Sequence, residues 1–308
     1  MIPPQFDYHV PESLADASRL LLANPEAKLL AGGHSLIPMM RFRLAEPSAL
    51  VDLRKIPGLA GIGEAEGCLR IGAMTRESEL EKSELVQGRY PLLADTARVI
   101  GDPLVRNLAT VGGNVAHADP GNDHPATMLA YRASFVGRSF PDRRSGTLLE
   151  QRHELPLQAE DRTIGADDFF TGPFSTCLKP GEILIEIRIP APEAGSGGAY
   201  EKFERKVGDY AVAAVAVQLR LEGGRIAEAG VALTNVGLTP IRASAAEAAL
   251  IGSDGGEAAL DEAAGAAAAA AEPHEDHRGS VEYKRAVVRT LTFRAASRAV
   301  ARAKEAPA

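Results

Sequence analysis

The chain has 308 residues, 45% of them hydrophobic and 24% charged, with a formal net charge of −7. These are the proportions of an ordinary globular protein long enough for about two domains. The acidic balance speaks against nucleic acid as the main partner, which would call for a basic surface. No run of about 18 apolar residues is available to span a membrane, and the opening MIPPQFDYHVPES lacks the basic and apolar stretches of a secretory signal. Cys68 and Cys177 are the only cysteines and form no CxxC pair, which excludes a self-contained four-cysteine iron–sulfur or zinc site. A reducing, cytoplasmic setting is the simplest expectation.

In chain order, Phe6–Val10 is a short apolar-aromatic segment. Ser13 then suits the N-cap of a helix carrying Leu14, Ala17 and Leu21 on one face, ended by Asn24-Pro25. Lys28–Ala31 reads as a buried strand that delivers Gly32-Gly33, followed by His34 and Ser35. Ile37–Leu44 mixes Met39, Met40 and Phe42 with Arg41 and Arg43, best read as a core-facing segment with exposed arginines. Ala49–Leu53 and Cys68–Ile71 are strand-like. Glu77, Glu79, Glu81 and Glu84 alternate with Leu80 and Leu85 as on a surface helix, so the acids are expected in solvent. Leu92–Val99 is helical in pattern, and Gly101-Asp102-Pro103 breaks it.

The chain is organised around Thr110–Pro125, TVGGNVAHADPGNDHP, where Gly112 and Gly113 follow a β-branched lead-in. Adjacent glycines let backbone N–H groups approach a ligand and form an anion-binding nest. LLAGGHSLIP, residues 29–38, repeats the device, so one extended phosphate ligand gripped from two sides is expected. Neither stretch is the strand–GxGxxG–helix signature, and neither has the Lys-Ser/Thr of a P-loop. Further on, Ala126–Tyr131 reads as a short helix starting near Pro125, and residues 137–163 as a charged surface hairpin or long loop.

The second half changes character. Ile183–Ile189 and Val215–Leu221 alternate apolar with polar as half-buried strands do, and Glu222-Gly223-Gly224-Arg225 turns the latter into a hairpin with Ile226–Leu233. Ala243–Leu250 and Glu257–Ala271 are alanine-rich helices. Tyr283–Ala303 is a long final helix whose arginines at 285, 289, 294, 298 and 302 read as a solvated face. The plan is α+β. A first domain, 1–174, has subdomains of about 1–55 and 56–174, and the second, 175–308, is an antiparallel sheet with helices on one side.

His117, Asp119, Asp123 and His124 tempt a metal assignment, but no ligand spacing is recognisable and a polar turn beside a phosphate nest explains them better. His274 and His277 sit in a loop before a helix. Lys202, Lys206, Asp209 and Tyr210 are more simply ion pairs than a platform for a planar cofactor. No G-x-S-x-G elbow is present.

Several of these stretches resemble one family. AGGHSLIPMMRFRLAEPSALVDL (31–53) and IGDPLVRNLATVGGNVAHADPGNDHPA (100–126) are similar to the FAD-binding medium subunits of molybdenum hydroxylases, the carbon-monoxide-dehydrogenase medium-chain type above all. DDFFTGPFSTCLKPGEILIEIRIP (167–190), EKFERKVGDYAVAAV (201–215) and DHRGSVEYKRAVV (276–288) share that likeness. The resemblance implies a PCMH, vanillyl-alcohol-oxidase-type FAD domain of two αβ subdomains, followed by a C-terminal α+β domain. It implies non-covalent FAD and an electron-transfer role in a heterotrimer. Molybdopterin would sit in a large partner subunit and two-iron two-sulfur clusters in a small one.

Residue by residue, the resemblance places Leu29, Leu30, Ala31, Gly32, Gly33, His34, Ser35 and Leu36, with Thr110, Val111, Gly112, Gly113 and Asn114, at the FAD pyrophosphate. Asp123 falls on the ribityl or adenosine side, Ile100, Leu184 and Lys202 line the flavin, and Tyr210 lies near its ring. No residue is assigned a catalytic or metal-binding role. Residues 137–163 look longer and more charged than the family's short hairpin. Two rivals remain: a stand-alone flavin oxidase of the same fold with FAD held covalently by His34, and an assembly subunit whose glycine loops are only turns. The substrate pocket would lie in another polypeptide, so the substrate and the electron acceptor are not readable from this chain.

Overall fold

The computed structural model describes residues 2–141 and 158–306. The first lobe runs β1 (Asp7–His9), α1 (Leu14–Ala23), β2 (Lys28–Leu30), α2 (Leu36–Arg41) and β3 (Ala49–Asp52). Its sheet is parallel, in the order β1-β3-β2. Ser13 caps α1 as expected, its side chain accepting from the Asp16 amide at 3.1 Å. Met40 is buried beneath α2, but Phe42 and Leu44 are 67% and 74% exposed, against the expectation of a core-facing run.

The second lobe comprises β4 (Ile62–Ala65), β5 (Cys68–Gly72), α3 (Glu77–Lys82), α4 (Glu84–Arg89), α5 (Pro91–Val99), α6 (Pro103–Arg106), α7 (Val111–His117) and α8 (Asp123–Ala130). It continues with β6 (Ser134–Ser139), β7 (Glu160–Gly165), α9 (Ala166–Phe169), β8 (Phe170–Gly172), β9 (Ser175–Thr176) and β10 (Ile183–Pro190). Its main sheet is ordered β4-β5-β10-β6-β7. The strand at 183–190 therefore does not open the C-terminal sheet. It lies antiparallel between β5 and β6 at the centre of the second lobe, and the chain passes to the next sheet after residue 190 rather than at 174/175. β6 and β7 are the arms of the expected hairpin, and residues 142–157 of its connection lie outside the described residues.

The remainder is β11 (Ser196–Glu204), β12 (Ala211–Glu222), β13 (Arg225–Thr234), β14 (Ile241–Arg242), α10 (Ser244–Leu250), α11 (Glu257–Ala270) and α12 (Val281–Glu305). These strands form one antiparallel sheet in sequence order. Gly223 and Gly224, both at positive φ (58° and 78°), make the two-residue turn read from the sequence. β12 explains how the halves join. Alternation sends Ala213, Val215, Val217 and Leu219 into a core shared with α10, α11 and α12. The opposite face sends Ala214 and Ala216 into the core of the second lobe. Helices therefore cover both faces, because α5 and α8 pack on the side expected to be bare. Asp95 on α5 reinforces that seam, accepting from Arg298 at 2.9 Å and from Arg302 at 2.6 Å on α12. These two arginines, part-exposed as their spacing suggests, also carry a tertiary contact that the spacing does not show.

Candidate functional site

β2 ends at Leu30, and the chain turns through Gly32 and Gly33 into α2. Gly33 has φ +77°, a conformation a side chain would strain. Gly32 has a different reason to be glycine: a Cβ there would stand 2.3 Å from the Leu108 carbonyl oxygen. Among the described residues, the amides of Gly32, Gly33, His34 and Ser35 donate to no protein acceptor, while the Gly33 and Ser35 carbonyls receive the amides of Ile37 and Met39. A run of successive free N–H groups around a left-handed glycine is an anion nest.

The second Gly-Gly stretch behaves otherwise. Gly112 and Gly113 form the first turn of α7, with Thr110 as N-cap accepting from the Gly113 amide at 3.2 Å. Val111 N–H donates to the Thr75 carbonyl, Gly112 N–H to Ala73 and Asn114 N–H to Thr110. All four amides are engaged, so the expected two-sided amide grip reduces to one nest, at residues 32–35. Gly112 serves close approach instead, since a Cβ there would lie 2.5 Å from Ala73 Cβ, while a Cβ on Gly113 would crowd the capping Thr110 Oγ1 at 2.6 Å. Gly113 faces Ala31 of the first loop, and the two stretches form adjoining walls of one cleft.

That cleft encloses about 910 Å³. Every residue of 29–36 lines it, as do Thr110, Gly112, Gly113 and Asn114, while Val111 between them is buried in the core. Ile100, Asp123, Leu184, Lys202 and Tyr210, separated widely in sequence, also line it. Arg41 and Arg43 do not. Asn114 Oδ1 is buried in the wall with no hydrogen-bond partner among the described residues, although the Asn114 carbonyl accepts from Asn122 Nδ2 at 2.8 Å. A buried amide oxygen left so is costly unless a bound donor meets it.

Beneath the cleft lies a polar network that the sequence did not disclose. Lys202 Nζ donates to Asp123 Oδ2 and to the Val99 carbonyl, each at 3.0 Å, and stands 3.4 Å from Glu204 Oε2. Tyr200, two residues away on the same face of β11, donates its hydroxyl to Asp123 Oδ1 at 2.8 Å. Burial raises the Asp123 pKa above the ordinary carboxylate value although Lys202 and Tyr200 pull it down. Lys202 is thus not in the surface ion pairs expected among Lys202, Lys206, Asp209 and Tyr210: its partner is the buried Asp123, and both also border the cleft.

Of the tempting metal ligands, His124 is fully buried and bonded to Glu77 at 2.8 Å, which removes Glu77 from the solvated face expected for it. His117 packs against Phe174 with ring centroids 5.2 Å apart and planes tilted by 53°, and burial lowers its pKa. Among the described residues, no group of three or more His, Cys, Asp or Glu could hold a metal ion. Arg106, also missed, braces the cleft edge by donating to the carbonyls of Ile100 and Gly101 at 3.1 and 3.3 Å while pairing with Glu81. Its local sequence carries no signal, because all these partners are set by tertiary packing.

An elongated cleft of this size, with an anion nest on one wall and apolar and aromatic groups further along, is the kind of site a dinucleotide cofactor fills. Comparison with known proteins agrees. Residues 4–156 match the family of the FAD binding domain in molybdopterin dehydrogenase, and residues 198–299 match the CO dehydrogenase flavoprotein C-terminal domain. The chain is 45% identical to the carbon monoxide dehydrogenase medium chain of Hydrogenophaga pseudoflava, over 98% of this chain and 99% of the relative. It is 35% identical to the 6-hydroxypseudooxynicotine dehydrogenase complex subunit alpha of Paenarthrobacter nicotinovorans, over 99% and 97% of the two chains. A solved structure of carbon monoxide dehydrogenase from Hydrogenophaga pseudoflava superposes with a TM-score of 0.89 at 47% identity, covering 98% of this chain and 99% of that one. The chain belongs to the FAD-binding subunits of the molybdenum hydroxylase family.

Proposed function

We propose that this chain is the electron-transfer flavoprotein of a molybdenum hydroxylase, holding FAD in the cleft described above. Electrons released at a molybdopterin centre in a large partner subunit would reach it through the iron–sulfur clusters of a small one, and leave for an external acceptor. The observation that carries the reading is the nest at Gly32–Ser35, four successive amides without acceptors among the described residues, in the same cleft as Asn114 Oδ1, which has no partner among them either. Pyrophosphate oxygens suit the amides, and a ribose hydroxyl or the amide-like edge of a nucleotide suits the oxygen. Ile100, Leu184 and Tyr210 would form the apolar and aromatic part of the wall, with the Asp123–Lys202 pair beneath it. The chemistry FAD supplies is exchange of electrons between one-electron and two-electron carriers, and the chain's residues position it and exclude water.

The change of sheet after residue 190 supports a boundary there between the FAD-binding domain and a C-terminal α+β domain that adds Lys202 and Tyr210 to the cleft. A cytoplasmic home fits the two unpaired cysteines. Among the described residues no helix is long and apolar enough to cross a membrane.

The test uses the complex assembled by co-expression with its large and small subunits, prepared with FAD and stripped of it. The iron–sulfur clusters are reduced with dithionite and their reoxidation by menadione is followed. Rapid reoxidation that depends on added FAD supports the role. Equal reoxidation without flavin overturns it.

A further inference from the structure

The motif DHRGSVEYKR, residues 276–285, lies far along the chain from the cleft and is absorbed by none of the roles above. Its geometry is that of a latch. Lys284 on α12 is 3% exposed, and its ammonium donates to the His274 carbonyl at 2.7 Å and pairs with Asp276 at 2.9 Å. Asp276 and Gly279 exchange backbone hydrogen bonds, and Asp276 Oδ1 accepts the Arg278 amide at 2.8 Å. The turn at 274–279 is thus fixed to the final helix from below and closed on itself.

From that fixed turn Arg278 reaches across to the connection between β11 and β12. Its Nη1 donates to the Tyr210 carbonyl at 2.7 Å and to the Ala211 carbonyl at 3.3 Å, and its Nη2 meets Asp209 Oδ1 at 3.0 Å. Arg205 at the other end of the same connection donates to the His277 carbonyl at 3.3 Å. Both ends of the 205–210 segment are tied to one turn. Between them Val207 is 97% exposed, so the apolar core does little to hold this segment and these polar bonds must do so. Tyr210 is the side chain whose place depends on them. It lines the cleft, and its ring packs so closely on Gly121 that a Cβ there would lie 2.8 Å from Tyr210 Cδ1.

We propose that Arg278 is a positioning residue for the cofactor cleft: its guanidinium fork latches the 205–210 segment and sets where Tyr210 stands in the wall. The inference rests on the reading of the cleft as the FAD site. The fork places two nitrogens at once, Nη1 on the carbonyls and Nη2 on the carboxylate, whereas the single nitrogen of a shorter lysine can stand at only one of those positions.

The experiment uses the assembled complex with Arg278→Gln, Arg278→Lys and, as a control, Arg289→Gln, whose only described partner is the exposed Asp261. Hydrogen exchange of amides 206–211, read by mass spectrometry without FAD, should quicken in both Arg278 variants and not in the control. FAD dissociation constants should rise about tenfold in both Arg278 variants, with ADP, which lacks the flavin ring, held within about twofold of wild type. In a Tyr210→Ala background the same Arg278 substitutions should add almost nothing, because the latch acts through that ring. Unchanged exchange in Arg278→Gln overturns the latch even if FAD binds. So does an Arg278→Lys complex that behaves as wild type, or full additivity with Tyr210→Ala. Failure of the wild-type complex to bind FAD instead overturns the cofactor reading, and the exchange data separate the two.

Discussion

Lys202→Met tests the network under the cleft, because it removes one ammonium and keeps the length and apolar stem of the side chain. The Lys202 and Asp123 side chains are 4% and 7% exposed, so water cannot replace what is lost. Removing one partner of a buried pair costs about 3–5 kcal/mol when the other stays charged. Here Asp123 would keep only the Tyr200 hydroxyl, and Glu204 would lose its nearest cation. The cost must depend on pH. Burial already raises the Asp123 pKa above the ordinary carboxylate value, and removing Lys202, which pulls it down, raises it further. A group whose pKa is higher folded than unfolded contributes its stability below the unfolded pKa and loses it as pH rises through the folded one. Urea unfolding of wild type and variant, followed by circular dichroism, should therefore show a deficit of about 3–5 kcal/mol at pH 8. At pH 5 more of that carboxyl is protonated than at pH 8, so the deficit should shrink toward about 1–2 kcal/mol, the worth of the remaining hydrogen bonds. Adding Asp123→Asn to Lys202→Met should recover much of the pH 8 loss. A deficit equal at both pH values would refute the argument.

Two further outcomes follow from other residues. Asn114→Leu removes the unpartnered Oδ1, so thermal stability of the cofactor-free complex should hold or rise while FAD affinity falls by about tenfold, roughly one hydrogen bond. A parallel loss of both would mean the amide is structural. Asp52 is fully buried and accepts from Tyr8 at 2.6 Å and from Arg54 at 2.6 Å and 2.9 Å. Burial would raise its pKa, but these bonds hold it below 3.8. Its contribution is therefore present above that value and lost as pH falls through the folded pKa. Asp52→Asn should cost about 2 kcal/mol in urea melts between pH 5 and 8, with the gap closing below about pH 4.

How much of this was legible in the sequence depended on how local its cause is. Ser13, the glycine pair at 223–224 and the β2–Gly32-Gly33 turn are dictated by their immediate neighbours, and each is found where residue chemistry puts it. Gly112-Gly113 misleads for a physical reason. Two glycines lower helix propensity by about 1 kcal/mol each, so the stretch reads as a loop. α7 nonetheless forms there, and its backbone runs so close to Ala73 that a Cβ on Gly112 would stand 2.5 Å from the Ala73 Cβ, so only glycine fits. The acidic run at 77–84 looks solvated in isolation, and nothing near Glu77 announces a buried histidine 47 residues away. Arg298 and Arg302 likewise meet Asp95 from more than 200 residues away. Helical spacing cannot show that. The residues named from the sequence, Val111 apart, meet in one cleft, and the glycines that let its walls approach are conspicuous, whereas the Tyr200–Asp123–Lys202 network depends on which face of β11 turns inward.

The central claim is that FAD sits between the Gly32 turn and the start of α7. It is tested most directly by measuring flavin in the assembled complex by absorbance, before acid precipitation and in the supernatant afterwards, for wild type, Gly32→Ala and Gly265→Ala. A Cβ at Gly32 would lie 2.3 Å from the Leu108 carbonyl oxygen and force the two walls apart, while one at Gly265 meets nothing within 4 Å. The account predicts about one acid-released FAD per chain in wild type and in Gly265→Ala, and little in Gly32→Ala, whose overpacking costs about 1–3 kcal/mol. Equal flavin in all three complexes would contradict the placement, and flavin remaining with the precipitate would move the attachment to a covalent bond such as one through His34.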